Sequence, residues 1–155
     1  MSPTARLRAV AADLGFAATL PTAPPVPADQ LLAQLARAAI DLYQQTGDFT
    51  VLHMVTATHA ARVLFGAQPQ LAAPRALQTL WTAYGAAYVA VGAPALIATP
   101  PSAPARSWSE IFDDAIASND DHVIKMTYSC FSEDAHYGNP RYRMVASRLA
   151  AAGTS

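Results

Sequence analysis

Proline and glycine divide most of this chain into segments whose apolar residues recur at helical spacing. The clearest segment carries its apolar residues at Leu31, Leu32, Leu35, Ala39, Ile40 and Tyr43. This spacing places them on one face of an α-helix, and other segments repeat the pattern. Strand candidates are few, since the stretch 88–91 is short and lies within a helical pattern. The sequence therefore predicts an all-α fold, a single-domain bundle of six or seven helices.

Capping residues, glycines and prolines give the predicted helix boundaries. A short helix opens at Ser2-Pro3 and ends near Gly15, and prolines between 21 and 27 form a stiff connector. Asp29 caps the second helix and Gly47 closes it. Five later helices are predicted. They lie at about 50–65, from 74 onward, from a serine cap at 107 or 109, at about 122–133 and at 141–150. The proline-rich stretch 94–104 is a predicted loop or lid.

The predicted domain organisation is simple. Residues 1–27 form an N-terminal helix and a proline-rich connector, and residues 28–151 form the core of one domain that spans 1–155. A chain of this length can bury a sizeable apolar core by itself.

Composition limits the partners and the compartment. The formal net charge of −1 gives no reason to expect nucleic acid or an anionic membrane as a partner. Charged residues are 14% and apolar residues 52% of the chain, which predicts a large apolar pocket or a surface covered in a homo-oligomer. Without a recognisable signal peptide or membrane-spanning stretch, we expect a soluble, cytoplasmic protein. The single cysteine, Cys130, fits a reducing compartment and is interpreted as a buried structural thiol.

The only lysine in the chain, Lys125, follows His122 by three residues. On a helix this spacing places both side chains on one face, about 60° apart, where they can reach one metal ion or one substrate. A desolvated lysine can lose its proton and act as a base, or add carbon dioxide to form a carbamate whose oxygens bind a metal. The alternative is that Lys125 extends to solvent or pairs with Asp121 or Glu133.

Three further histidines are candidates for chemistry. His53 and His59 are six residues apart, about 120° on a helix, so they cannot chelate one ion as closely as an i,i+4 pair. His53 is the first candidate ligand and His59 the second, although each is also explained as a hydrogen-bonded core histidine. His136 lies next to a turn, where we expect it to be exposed. No nucleotide-binding fingerprint or known zinc motif is present.

Two stretches resemble the questin oxidase-like family. Residues 53–62 (HMVTATHAAR) are similar to its "HgvT…HA.R" segment, and residues 121–127 (DHVIKMT), followed by Cys130, to its "D-H-x-IK-x-T…C" segment. Residues 139–142 (NPRY) are similar to the "dP.Y" turn before the final helix of that family, and the lead-in at 108–111 also fits. The similarity extends over roughly 29–150.

The resemblance implies an oxidoreductase of aromatic polyketide metabolism. Family members oxidise anthraquinones such as questin and open a ring to give benzophenone-type products. Some are described as NADPH-dependent Baeyer–Villiger-type enzymes, and one branch resembles non-haem iron dioxygenases whose metal is held by histidines and a carboxylated lysine. Carried over by motif, the metal ligands here are His53 or His59, His122 and Lys125, with His122 and Lys125 at the catalytic centre. Iron(II) is the implied cofactor and NADPH the second candidate.

The family enzymes are longer, and this chain resembles their C-terminal half. Three routes are therefore open: a homodimer completes the site, His59 completes it within the chain, or the metal is lost. The last route leaves a metal-free binding module or accessory subunit, or an enzyme of polyketide tailoring in which His122 and Lys125 act as acid and base. Aromatic residues that could line a substrate pocket are Trp81, Tyr84, Tyr88, Trp108, Phe112 and Tyr128.

Overall fold

The computed structural model describes residues 3–97 and 106–153, and these residues are predominantly helical. The helices are α1 (Pro3–Ala12), α2 (Leu14–Thr19), α3 (Ala28–Thr46), α4 (Phe49–Ala67), α5 (Pro74–Ala90), α6 (Trp108–Ala117), α7 (Asp121–Tyr137) and α8 (Arg141–Gly153). A single turn of 3-10 helix, Pro69–Leu71, follows α4. The predicted all-α fold is confirmed, with seven α-helices of ten residues or more and no strand in the described ranges. None of these helices is both long and apolar enough to cross a membrane.

Four helices, α3, α4, α7 and α8, enclose the core. Gly47 and Gly138 adopt positive φ angles of 58° and 64° where α3 and α7 end, a conformation that glycine reaches without steric cost. The short connections that follow fold α3 against α4 and α7 against α8 as antiparallel pairs. Arg141 Nε, at the start of α8, lies 3.1 Å from Asp41 Oδ1 of α3 and links the two pairs on one side.

Helices α4 and α7 link the pairs on the other side, and they run in the same direction. The Phe49 ring at the start of α4 lies 4.7 Å from the His122 ring at the start of α7. Near the other ends, Arg62 Nη2 donates a hydrogen bond of 2.9 Å to Ser132 Oγ. The buried apolar side chains between these helices and their neighbours include Ile40, Leu42, Val51, Val55, Ile111, Met126, Cys130, Tyr142 and Ala146.

The Glu133 carboxylate is the polar centre of the contact between α4 and α7. Its side chain is 1% exposed, and its Oε1 accepts hydrogen bonds from Arg62 Nε at 2.7 Å and His59 Nδ1 at 2.9 Å. Burial by itself raises the pKa of a carboxyl group, but the bonds from His59 and Arg62 outweigh burial and hold the pKa of Glu133 below its ordinary value. The two helices therefore pack through a buried ion pair as well as through apolar contacts.

Several helix ends differ from the predicted ones. The predicted first helix is two helices, because Asp13 accepts a hydrogen bond from the Gly15 amide and caps α2. Asp29 is not the cap of α3, whose N-cap is Pro27; it lies in the first turn, where its charge suits the helix dipole. Ser107 caps α6 through a reciprocal capping box with Glu110. Ser2 and residues 98–104 of the predicted loop lie outside the described residues.

Substitution of Glu133 tests the buried ion pair. We expect Glu133→Gln to lower the free energy of unfolding near neutral pH by about 3 kcal/mol, because it leaves the Arg62 charge without its counter-ion. Since the folded-state pKa is depressed, the stability from Glu133 is present above about pH 4.3 and is lost as the pH falls through the lower folded-state value. Urea unfolding across this range measures both effects.

Asp113→Asn is the matched control, because it removes one carboxylate from an exposed position of α6. It should change the free energy of unfolding by no more than about 0.5 kcal/mol. A Glu133→Gln variant as stable as the Asp113→Asn variant would contradict the role given to the buried pair.

Candidate functional site

The predicted ligands His53 and His122 lie together at one end of the bundle. Asp48 caps α4 and Asp120 caps α7, each accepting hydrogen bonds from backbone amides of the first turn. Because the two helices run in the same direction, their first turns lie side by side. The ring centres of His53 and His122 are 5.7 Å apart, and the half-exposed Phe49 ring contacts both of them.

Both imidazoles have their Nδ1 atoms engaged with oxygen acceptors. His53 Nδ1 is 2.8 Å from the Phe49 carbonyl oxygen, and His122 Nδ1 is 3.0 Å from Asp121 Oδ1. A carbonyl or carboxylate oxygen only accepts, so these contacts favour the tautomer with the proton on Nδ1. The Nε2 lone pair of each neutral ring is then available for a metal ion, the arrangement found around histidine ligands.

The donor types present suit a metal ion. Two imidazoles that bind one ion through bonds of about 2.1 Å have ring centres roughly 5 Å apart, and the ring centres of His53 and His122 lie 5.7 Å apart. One potential ligand atom from each of Asp120, Asp121 and His122 falls within a common 4.8 Å, and both carboxylates approach His122 on its Nδ1 side. Imidazole with carboxylate is a donor set that suits non-haem iron.

Lys125 lies beside this group but is not desolvated. Its side chain is 67% exposed, and its Nζ donates a hydrogen bond of 2.7 Å to Asp121 Oδ2. Of the alternatives open from the sequence, pairing with Asp121 is therefore the one observed. The Asp121 carboxylate contacts both His122 and Lys125, and the hydrogen bond from Lys125 lowers the pKa of Asp121. Sequence reasoning assigned Asp121 no part in the site, although its spacing of one and four residues from these side chains was a usable signal.

His59 lies apart from the other candidate ligands. Its Nδ1 is occupied by Glu133 and its side chain is 12% exposed, so it belongs to the buried ion pair further along α4 and α7. The ring of Tyr128 contacts His59 at 5.8 Å. The observed role of His59 is therefore that of a hydrogen-bonded core histidine, the structural interpretation that the sequence left open.

The predicted pocket aromatics are divided among three places. Trp81 and Tyr84 line an apolar cavity of about 460 Å³ between α3 and α5, together with Tyr88. Trp108 instead packs against Phe112 and Phe131 where α6 meets α7. Tyr128 is 59% exposed on α7. Sequence reasoning placed the apolar residues of α3 on one core-facing side and so missed the wall that Ala38 and Leu42 contribute to the cavity.

A second, smaller cavity borders His53. It has a volume of about 140 Å³, and its walls include Leu7 of α1 and Tyr84 of α5. Tyr84 thus lines both this cavity and the larger one between α3 and α5. The two remaining predictions agree with the structure: Cys130 is a buried free thiol whose pKa is raised by burial, and His136 is exposed.

Comparison with known proteins assigns the family. The Questin oxidase-like family model matches residues 21–130, more than two thirds of the 155 residues, so the chain belongs to the questin oxidase-like family. The matched range contains His53, His122, Lys125 and the helices that line the larger cavity. No curated protein and no solved structure matches the chain.

A cobalt(II) titration tests the geometry of the histidine pair. We expect His53→Gln and His122→Gln each to weaken cobalt binding by more than about tenfold, and Asp121→Asn by about 10- to 100-fold, because Asp121 orients His122. His59→Gln and the exposed control His136→Gln should change the affinity by less than about twofold. The visible absorption of bound cobalt(II) provides the measurement, and a loss of affinity in His59→Gln equal to that in His122→Gln would contradict the assignment.

Proposed function

We propose that the chain is an oxidoreductase that uses dioxygen to oxidise an anthraquinone-type aromatic substrate at a non-haem iron. Membership of the questin oxidase-like family supports the reaction class. The observation that carries the proposal is the pairing of His53 and His122 across α4 and α7, with an Nε2 atom left available on each ring. Iron bound by such ligands keeps positions open for dioxygen and substrate.

The third donor would be an oxygen from the Asp121–Lys125 pair. Asp121 already lies within reach of His122, and Lys125, one helical turn further along α7, gains carboxylate-like oxygens if it is carbamylated. Asp121 contacts His122 at Nδ1, so in its present position the carboxylate would orient this ring, and it would have to turn to become the third donor itself. Phe49 shields the two imidazoles on one side.

Homo-oligomerisation is part of the proposal, because Lys125 is exposed in the single chain. Four large apolar side chains are exposed on α6 and α7: Ile116 of α6 (67% exposed), and Ile124 (41%), Tyr128 (59%) and Phe131 (38%) of α7. Together they expose roughly 400 Å², about half of the ~800 Å² that each partner buries in a standard interface. A second copy seated on this surface would also cover Lys125, which is three residues from Tyr128 on α7 and therefore its neighbour on the helix surface, and would supply the desolvation that carbamylation requires.

Iron content is the direct test of the proposed function. Protein purified without chelators should contain about one iron per chain and lose it in the His53→Ala and His122→Ala variants. Iron-loaded protein should consume dioxygen in the presence of a hydroxylated anthraquinone. Iron content in a His53→Ala/His122→Ala double variant equal to that of the unsubstituted protein would contradict the site. Ligand binding without iron or oxygen consumption would instead favour a metal-free binding module.

Lys125→Arg identifies the third donor. Arginine retains the charge and the pairing with Asp121 but cannot be carbamylated. If the carbamate binds iron, Lys125→Arg loses the metal, and the intact mass of the protein without the substitution is higher by one carbon dioxide than its sequence predicts. If Asp121 binds iron, Lys125→Arg retains the metal and Asp121→Asn loses it.

Sedimentation measures the proposed assembly. We expect Ile124→Asp to shift the protein to monomer, because a charge would be buried between the two copies. Val89→Asp, on an exposed apolar position of α5, is the matched control and should leave the assembly unchanged. A protein that is monomeric before any substitution would contradict the oligomer but not the iron site.

A further inference from the structure

We propose that the cavity between α3 and α5 is a binding site for a flat, uncharged aromatic ring system. Its volume of about 460 Å³ lies within the range of small-molecule sites. That the ligand is the substrate of the iron site rests on the proposed function, whereas the binding itself does not.

The walls of the cavity are almost entirely apolar. Leu35, Ala38 and Leu42 of α3 face Trp81 and Tyr84 of α5. Two helices with aromatic side chains on one side and aliphatic side chains on the other favour a planar ligand, because a ring can stack on the aromatic faces while its other face contacts the aliphatic wall. Charged side chains are absent from the lining that the described residues provide, so an ionic ligand would enter without a counter-ion.

The polar atoms of the aromatic side chains are directed to the protein backbone. Trp81 Nε1 donates a hydrogen bond of 2.8 Å to the Pro21 carbonyl oxygen, and Tyr84 Oη donates one to the Leu35 carbonyl oxygen. Tyr88 Oη donates one of 2.7 Å to Pro94. Burial raises the pKa of Tyr84, so its hydroxyl stays protonated and neutral. These bonds fix the ring orientations and leave the ring faces as the contact surface for a ligand.

Chain segments on either side of the helices cover the cavity. Leu20 packs against Gly85, and a Cβ atom at Gly85 would lie 2.6 Å from Leu20 Cδ2, so glycine is what permits this close approach. On the other side, Leu96 lines the cavity, and Gln45 Nε2 holds its neighbour Ile97 through a hydrogen bond of 2.7 Å to the carbonyl oxygen. Gln34 is an exposed amide at the rim, suited to a quinone carbonyl or a phenol.

Tyr84 lies between the α3–α5 cavity and the space beside His53, and the two spaces are separate cavities. It lines the α3–α5 cavity and also the small cavity that borders His53. A ring bound between α3 and α5 would therefore lie on one side of Tyr84 and the imidazole of His53 on the other. Binding to the cavity can consequently be measured in protein that contains no iron.

The test is a titration of metal-stripped protein with 1,8-dihydroxyanthraquinone, followed by tryptophan fluorescence. The chain has two tryptophans, so a Trp108→Phe background leaves Trp81 as the only one. We expect saturable quenching of Trp81, and we expect Ala38→Leu in this background to weaken binding at least tenfold by filling the cavity. Ala33→Leu, on a different face of α3 outside the cavity, should change the affinity less than twofold.

The outcomes separate the cavity from the iron site. No saturable binding, or equal weakening by Ala38→Leu and Ala33→Leu, would overturn the proposed cavity whether or not iron is bound. Equal affinity for 1-adamantanol, a globular apolar molecule measured by competition, would overturn the preference for a flat ring. Tight binding that Ala38→Leu weakens supports the cavity even if the protein contains no iron. The absence of iron would count only against the proposed oxidoreductase.

Discussion

The buried carboxylate of Glu133 fixes how α4 and α7 lie against each other. A carboxylate removed from water costs several kcal/mol unless it is paired, and Glu133 finds both of its partners, His59 and Arg62, on α4. These partners are three residues apart and therefore on one face of that helix. If one helix were displaced along the other by a turn, the Glu133 carboxylate would lose at least one of its two partners. The two hairpins of the bundle are thus held in one register.

This register produces the candidate iron site at the other end of the same two helices. Because α4 and α7 run in the same direction, aligning Glu133 with His59 and Arg62 also aligns the first turns, where His53 and His122 lie. The first N–H groups of both helices have no partner within their own helix, which favours the carboxylates that cap them. The ion pair and the proposed metal centre are therefore consequences of one packing arrangement, the first buried in the core and the second near its edge.

The proposed chemistry and the proposed substrate cavity use different helices. The imidazoles come from α4 and α7, whereas α3 and α5 form the cavity. Tyr84 borders both regions, since its ring lies between the α3–α5 cavity and the space beside His53. Its hydroxyl is held by the Leu35 carbonyl oxygen, so its orientation depends on the packing of α5 against α3. The packing of α5 against α3 therefore also affects the space beside His53.

The sequence by itself determined the all-α class, most helix boundaries and the family, because apolar periodicity, glycine ends and short motifs are local properties. It also selected His53 and His122, but their proximity depends on two helices more than fifty residues apart in sequence. Only the tertiary structure separated His59 from that pair, since Glu133 approaches it from α7. Only the tertiary structure exposed Lys125 and gave it Asp121 as a partner, and only it divided the aromatic residues among separate surfaces. Side-chain environment is set by what packs opposite each residue, which no local pattern contains.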